Sequence, residues 1–164
     1  MTLVKVRSRG INLADNFAFT GTISGAGGGK INQVVSATQT ADMSTSSTSY
    51  VQNFSLNITP SATSSKIMIV SHTGRLDTSS SGATMAVSIY RGSTNITNYT
   101  QGGAGGRFES ANASLGNMSI NLVDSPSSTS QQTYYMYYKS ESSSHTVFLN
   151  NDSLTSLIAM EILA

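Results

Sequence analysis

Apolar residues in this chain come in short runs, and most of them alternate with polar ones, the period of a strand with one buried face. Tyr50, Phe54, Leu56 and Ile58 share a parity, with Gln52 as the polar exception, and Asn53, Ser55 and Asn57 take the other. Met85, Val87 and Ile89 alternate with Ala86, Ser88 and Tyr90, and Met118, Ile120 and Leu122 alternate with Ser119 and Asn121. Residues 134–138 are strongly β-prone, with Tyr134, Met136 and Tyr138 on one side and Tyr135 and Tyr137 on the other. Three runs (67–70, 147–149 and 157–163, the last broken only by Glu161) are apolar at successive positions instead, which predicts strands buried on both faces.

Turn-forming residues separate these runs, at 60–65, 77–82, 91–94, 124–127 and 141–144. No amphipathic pattern of helical length competes with them. Short strands at regular spacing predict an all-β fold, an antiparallel β-sandwich of about eight strands, jelly-roll-like, over residues 30–164.

Two segments stand outside this rhythm. Residues 1–29 hold strand-like alternation far from the main run: Leu3, Lys5, Arg7 and Arg9 against Val4 and Val6, then Phe17, Phe19 and Ile23 against Ala18, Thr20 and Thr22. The Gly-rich stretch 25–29 then forms a joint. This predicts an extended N-terminal arm that pairs with something outside its own domain, docking through Lys5, Arg7, Arg9, Phe17, Phe19 and Ile23. The second segment, 91–115, has a Gly-rich middle and predicts a long functional or mobile loop.

Composition sharpens the picture mainly by what is missing. Only 10% of residues are charged, against roughly 25% in ordinary domains. The net charge is +1 and there is no Cys, so a disulfide framework or thiolate metal site is excluded. So little charge gives the chain scant reach toward nucleic acid, and no apolar run approaches the roughly 20 residues of a membrane-spanning helix. No apolar stretch follows the basic residues near the start, so no secretory signal is expected.

Candidate chemistry is sparse. Gly29-Lys30 invites a phosphate-loop reading, which fails because Ser24 stands at the first Gly position and Ile31 where Ser or Thr would hold magnesium. His72 and His145 lack any metal-ligand spacing, and the eight acidic residues form no Asp-x-Asp pair. No catalytic residue, metal or cofactor is expected. Aromatic rings on a surface rich in Ser, Thr and Asn can stack on sugars, which makes Tyr99, Arg107, Tyr135 and Tyr137 candidate glycan contacts. Packing against a neighbouring sheet or subunit is the rival role for Tyr135 and Tyr137.

Several blocks in order resemble structural proteins of tailed phages. Residues 9–25 (RGINLADNFAFTGTISG) resemble a segment recurrent in fiber-like and appendage proteins of marine and cyanobacterial phages, and 31–38 (INQVVSAT) resemble the start of their terminal β-domain. Residues 58–70, 90–94, 122–126 and 158–162 continue the resemblance. It implies a non-enzymatic virion protein, made in the host cytoplasm: a short tail fiber or appendage subunit, often trimeric, anchored by its arm to another virion protein and able to meet host-surface polysaccharide. Capsid decoration and a carbohydrate-binding receptor module, with loops 74–83 and 91–115 as its rim, are the alternatives. The arm, about 100 Å if fully extended, is too short for a long fiber stem.

Overall fold

The computed structural model describes residues 30–97, 116–150 and 152–163, together with the backbone of 106–109. These residues form β1 (Ile31–Gln39), β2 (Met43–Thr45), β3 (Val51–Ile58), β4 (Lys66–His72), β5 (Leu76–Thr78), β6 (Thr84–Arg91), β7 (Thr94–Asn95), β8 (Gly106–Glu109), β9 (Ser119–Asp124), β10 (Gln132–Ser140), β11 (Val147–Leu149) and β12 (Thr155–Ile162). All pairings are antiparallel.

The twelve segments read as eight longer strands. β1 with β2, β4 with β5, and β11 with β12 are each one strand interrupted near the same level, so the sheets β1-β12-β4-β9 and β2-β11-β5 continue one another. β7 and β8 pair with the same strand, β6, with residues 98–105 between them. Strand pairing is then nested: the first strand with the last (β1/β2 with β11/β12), β3 with β10, β4 with β9, and β6 with β7/β8. That is the pairing of a jelly roll. A first sheet (β1-β12-β4-β9, extended by β2-β11-β5) packs on a second (β3-β10-β6 with β7 and β8) around a core that includes Leu56, Ile67, Ile69, Ile89, Ile120, Tyr134, Met136, Tyr138 and Leu157.

The corner where three strands break together is held by side chains replacing ladder bonds. The Asn150 amide donates to the carbonyls of Gln39 and Ala41 at 2.8 and 3.1 Å. Thr155 Oγ1 donates to the Thr73 carbonyl at 2.5 Å, and Ser153 Oγ accepts from the Arg75 amide at 2.6 Å. Gly74 sits here with φ +64°, and a Cβ on it would meet Ser153 Oγ at 2.6 Å and the Leu154 carbonyl at 2.8 Å.

Two bulges set which side chains face inward. Between Met136 and Tyr137 the register of β10 on β3 shifts, leaving Asn53 as the extra residue. Beyond it the parity of β3 flips, so Tyr50 and Gln52 lie on the outer face while Phe54, Leu56 and Ile58 fill the core. Tyr50 therefore does not share a face with Phe54, contrary to the simple alternation. On β1 the shift falls between Ile31 and Gln33, and the extra residue Asn32 lets two consecutive amides reach one acid.

That acid is Glu161, fully buried at 0% exposure. Its carboxylate accepts five hydrogen bonds: from Asn32 Nδ2 (2.8 Å), Gln33 Nε2 (2.6 Å), the Ser61 amide (2.6 Å), Ser61 Oγ (2.7 Å) and Ser65 Oγ (2.7 Å). It thereby ties together the first strand, the last strand and the 59–65 turn that crosses from one sheet to the other. Burial pushes its pKa up, but the bonds from Asn32, Ser61, Ser65 and Gln33 outweigh this and hold the carboxyl well below the usual carboxylate range.

Two predictions follow from these joints. A carboxyl depressed in the folded state adds stability that is complete above its ordinary value of 4.5 and lost as pH falls below it. Urea midpoints should therefore decline on acidification. Glu161→Gln, which puts an NH₂ against donors, should cost about 3 kcal/mol at pH 7 and flatten that acid limb. Gly74→Ala should cost about 1–3 kcal/mol in strain, plus the clash with Ser153 Oγ and the Leu154 carbonyl. Gly92→Ala, also at positive φ but facing open space, should cost less in the same thermal melts.

Candidate functional site

The two outer faces of the sandwich are chemically opposite. On the second sheet, Tyr135 pairs with Tyr90, and Tyr137 pairs with Ser88 across β6 and Gln52 across β3. These positions point away from the core because Tyr134, Met136 and Tyr138 point into it, each at 0% exposure. The outward tyrosines pack on one another. Tyr90 and Tyr137 lie 4.4 Å apart and tilted, Tyr135 and Tyr137 5.9 Å apart, and Tyr50 meets Tyr90 edge-on at 5.7 Å. Ser88 Oγ donates to Tyr50 Oη at 2.8 Å, and Lys139 Nζ stands 5.2 Å from the Tyr50 ring centroid. Burial pushes the Tyr90 hydroxyl up from its ordinary range. The rings cover the middle of their own sheet, which explains why Ala86 and Ser88, on the outward parity of β6, are fully buried.

The first sheet has no such cover among the described residues. The registers place its outward side chains in rows across the strands. One row is Val34–Met160–Met68–Val123, flanked by Ser36–Ile158–Val70–Asn121 and by Ile31–Ile162–Lys66; beyond lies Thr38–Ser156–His72–Ser119. Ile31 and Val34 are each 58% exposed and Val123 55%; Met68, Val70, Ile158, Met160 and Ile162 are half-buried. Lys66 at one end and His72 at the other are the titratable side chains in these rows. The runs at 67–70 and 157–163, expected to be covered on both faces, are covered on one. Their inner parity fills the core, and their outer parity meets solvent.

The end of the sandwich beneath the Ile31 row carries two carboxylates in one inward row, Gln33–Glu161–Ile67–Asp124. Asp124 accepts from Arg91 Nη1 at 2.8 and 2.6 Å and from Tyr134 Oη at 2.7 Å, joining the two sheets. Burial, then this bond to Asp124, pushes the Tyr134 hydroxyl far above the usual phenol range, so it stays a donor. With Ile67 between them, the two acids stand about 10 Å apart across two strand spacings. Each is consumed by its own partners, so their role is structural.

A shallow cavity of about 380 Å³ opens at the corner, lined by His72, Gly74, Arg75, Gly116, Asn117, Ser153 and Leu154. The Arg75 guanidinium reaches Asp77 at 3.5 Å and Asp152 at 3.9 Å. His145, whose Nδ1 is 2.6 Å from Ser80 Oγ, belongs to the turn before β11. No group of three or more metal-ligating side chains occurs among the described residues.

Of the residues singled out by sequence, the structure brings Tyr135 and Tyr137 together, and with them Tyr90 and Tyr50. Arg107 has its backbone in β8, and Tyr99 lies outside the described residues, as do Lys5, Arg7, Arg9, Phe17, Phe19 and Ile23. Of the expected rim, the backbone of 106–109 runs beside the 79–83 turn, with Glu109 opposite Thr84, while the 92–93 turn lies at the other end of β6; the rest of 98–115 lies outside the described residues. Residue 77, expected in a turn, is in β5. Glu161 and Asp124 were not singled out. The signal for Glu161 was its parity, since it follows Leu157 and Ala159 on the inward side of an apolar run.

No protein-family model matches the chain, and no curated protein matches it. Among solved structures it is similar to that of the infectious bursal disease virus Gx strain, with TM-score 0.46 and 16% identity over 80% of this chain and 37% of the other. It is also similar to infectious bursal virus derived T=1 particles, with TM-score 0.45 and 16% identity over 93% of this chain and 42% of the other. The chain spans under half the length of these solved chains. The jelly-roll assignment rests on strand pairing alone.

The tyrosine packing makes a quantitative prediction. Tyr137 contacts two rings, and Tyr137→Ala should cost about 1–3 kcal/mol by chemical denaturation at roughly 0.5–1.5 per pair beyond area burial. Tyr135→Ala, with one ring contact, should cost less.

Proposed function

We propose that this chain is a non-enzymatic structural protein of a virion, a short tail fiber or appendage subunit whose jelly-roll head is joined to its neighbours by the N-terminal arm. The observation that carries the reading is the apolar outer face of the first sheet, continuous across all four strands. Four strands at about 4.8 Å and six residues at about 3.3 Å make a face of roughly 400 Å². That is the size of the largest patch on a typical monomer, where such patches are often functional. A surface whose central rows carry no charge suits contact with other protein, since no charge in them must be desolvated when they are covered. The resemblance of residues 9–25 and of the later blocks to phage appendage proteins supports the virion setting, and with it a homotrimer and a partner in the tail.

A second reading, a carbohydrate-binding module, is favoured by one observation, the partly exposed Tyr135 and Tyr137 beside Asn57 and Thr133 on the second sheet. Ring faces already packed on other rings offer a sugar less area, which places this reading second. Capsid decoration shares the physics of the first reading and differs in location.

Electron microscopy of assembled particles with the subunit labelled should place it on the tail. Label on the capsid surface would establish decoration instead, and absence from particles would overturn the virion reading. Removing residues 1–29 should leave a head with unchanged melting behaviour that no longer incorporates; normal incorporation would refute the anchoring role of the arm. Binding of the isolated head on a glycan array, lost in Tyr137→Ala, would favour the second reading.

A further inference from the structure

We infer that the apolar outer face of the first sheet is the seat of residues 16–23 from a neighbouring copy of this chain. The inference rests on the assembly reading above and names its contact.

The size of the face selects the kind of occupant. Roughly 400 Å² is about half of the 800 Å² per partner found in stable protein–protein interfaces, so a second head laid face to face would be held weakly. A single extended segment needs no more than this. Eight residues in extended conformation reach about 26 Å, enough to cross a face some 20 Å long. The pattern of 16–23 is one-sided, with Phe17, Phe19 and Ile23 on one parity and Ala18, Thr20 and Thr22 on the other. It carries no charge, matching a face whose central rows, from Val34 to Val123 and from Ser36 to Asn121, carry none. A lone segment also keeps its backbone groups at its margins, in reach of water.

The path of the chain selects the copy. The ladder between β1 and β12 continues to its last residue, where the Leu163 amide donates to the Lys30 carbonyl at 3.0 Å. The backbone at Lys30 thus still runs in line with β1, toward the end of the sheet rather than back across its outer face. Ser24 to Gly29 provide six residues, about 20 Å, between Ile23 and that point. Covering its own face would require a full reversal within them. Reaching the same face on an adjacent copy requires none.

The absence of Cys makes the test clean. Two full-length chains, F19C and V34C, are mixed at equal concentration under mild oxidation. A disulfide-linked heterodimer carrying one copy of each chain is expected, at least tenfold above the linkage between F19C and a control at the other outer face, S55C. The double variant F19C/V34C should form oligomers linked end to end. A double variant that links only within one chain, with no mixed heterodimer, would overturn exchange, and so would no preference for V34C over S55C. As an independent readout, F17S/F19S should lose the oligomer on sedimentation while keeping the wild-type melt, and an unchanged oligomer would count against the seat. Particle localisation separates the two ideas. Label on particles without the F19C–V34C linkage defeats this inference alone, and the linkage without label on particles defeats the virion reading alone.

Discussion

A carboxylate without a cation holds the ends of this fold together. Glu161, on the last strand, gathers donors from β1 and from the crossover between β3 and β4, residues roughly a hundred or more positions before it in sequence. In a jelly roll the first and last strands form the outermost of the nested pairs, so a bond that joins them to the crossover turn fixes the outer layer of the topology. An anion is the economical acceptor there. The turn at 59–65 and the bulge at Asn32 present five donors at one point, and an ionised carboxylate meets them as a pure acceptor, with no donor of its own to oppose them. Its counterpart in the same row, Asp124, performs the equivalent task between the sheets with Arg91 and Tyr134. In a chain so poor in charge, these two inward-facing acids account for a quarter of its acidic groups.

Much of the fold was legible in the sequence because strand period and turn chemistry are local signals. The strands at 85–89, 118–122 and 134–138 keep the expected parity, and the break at Pro60 and restart at Lys66 fall where the turn residues put them. What was not legible was non-local. The bulge at Asn53 inverts Tyr50, and no local pattern marks it, because it depends on how β10 pairs. Nor does any local pattern show that the three interruptions fall at one level, since their alignment is a property of neighbours. Of the candidate site, Tyr135 and Tyr137 were found by alternation, whereas Tyr90 and Tyr50 joined them only through the sheet.

The apolar runs at 67–70 and 157–163 are instructive. The sequence there carries the pattern of strands covered on both faces, and the head supplies a cover for one. On the opposite sheet the same need is met internally: four tyrosines lie over β6 and bury Ala86 and Ser88. The two sheets solve one problem differently. One closes its outer surface with its own rings, and the other leaves methyl and thioether groups in water, at a cost that only a further contact removes.

The bulges also bear on how many copies can live beside one another. A sheet edge with an unbroken row of free amides and carbonyls is a template on which another strand can add without limit. Here, among the described residues, β1 carries a bulge at Asn32 and β3 one at Asn53, and the partner of β6 comes in two pieces, β7 and β8, whereas β9 pairs with β4 in regular register. Bulged edges of this kind resist strand addition, which favours contact through a face of finite size over open-ended growth along β1 and β3.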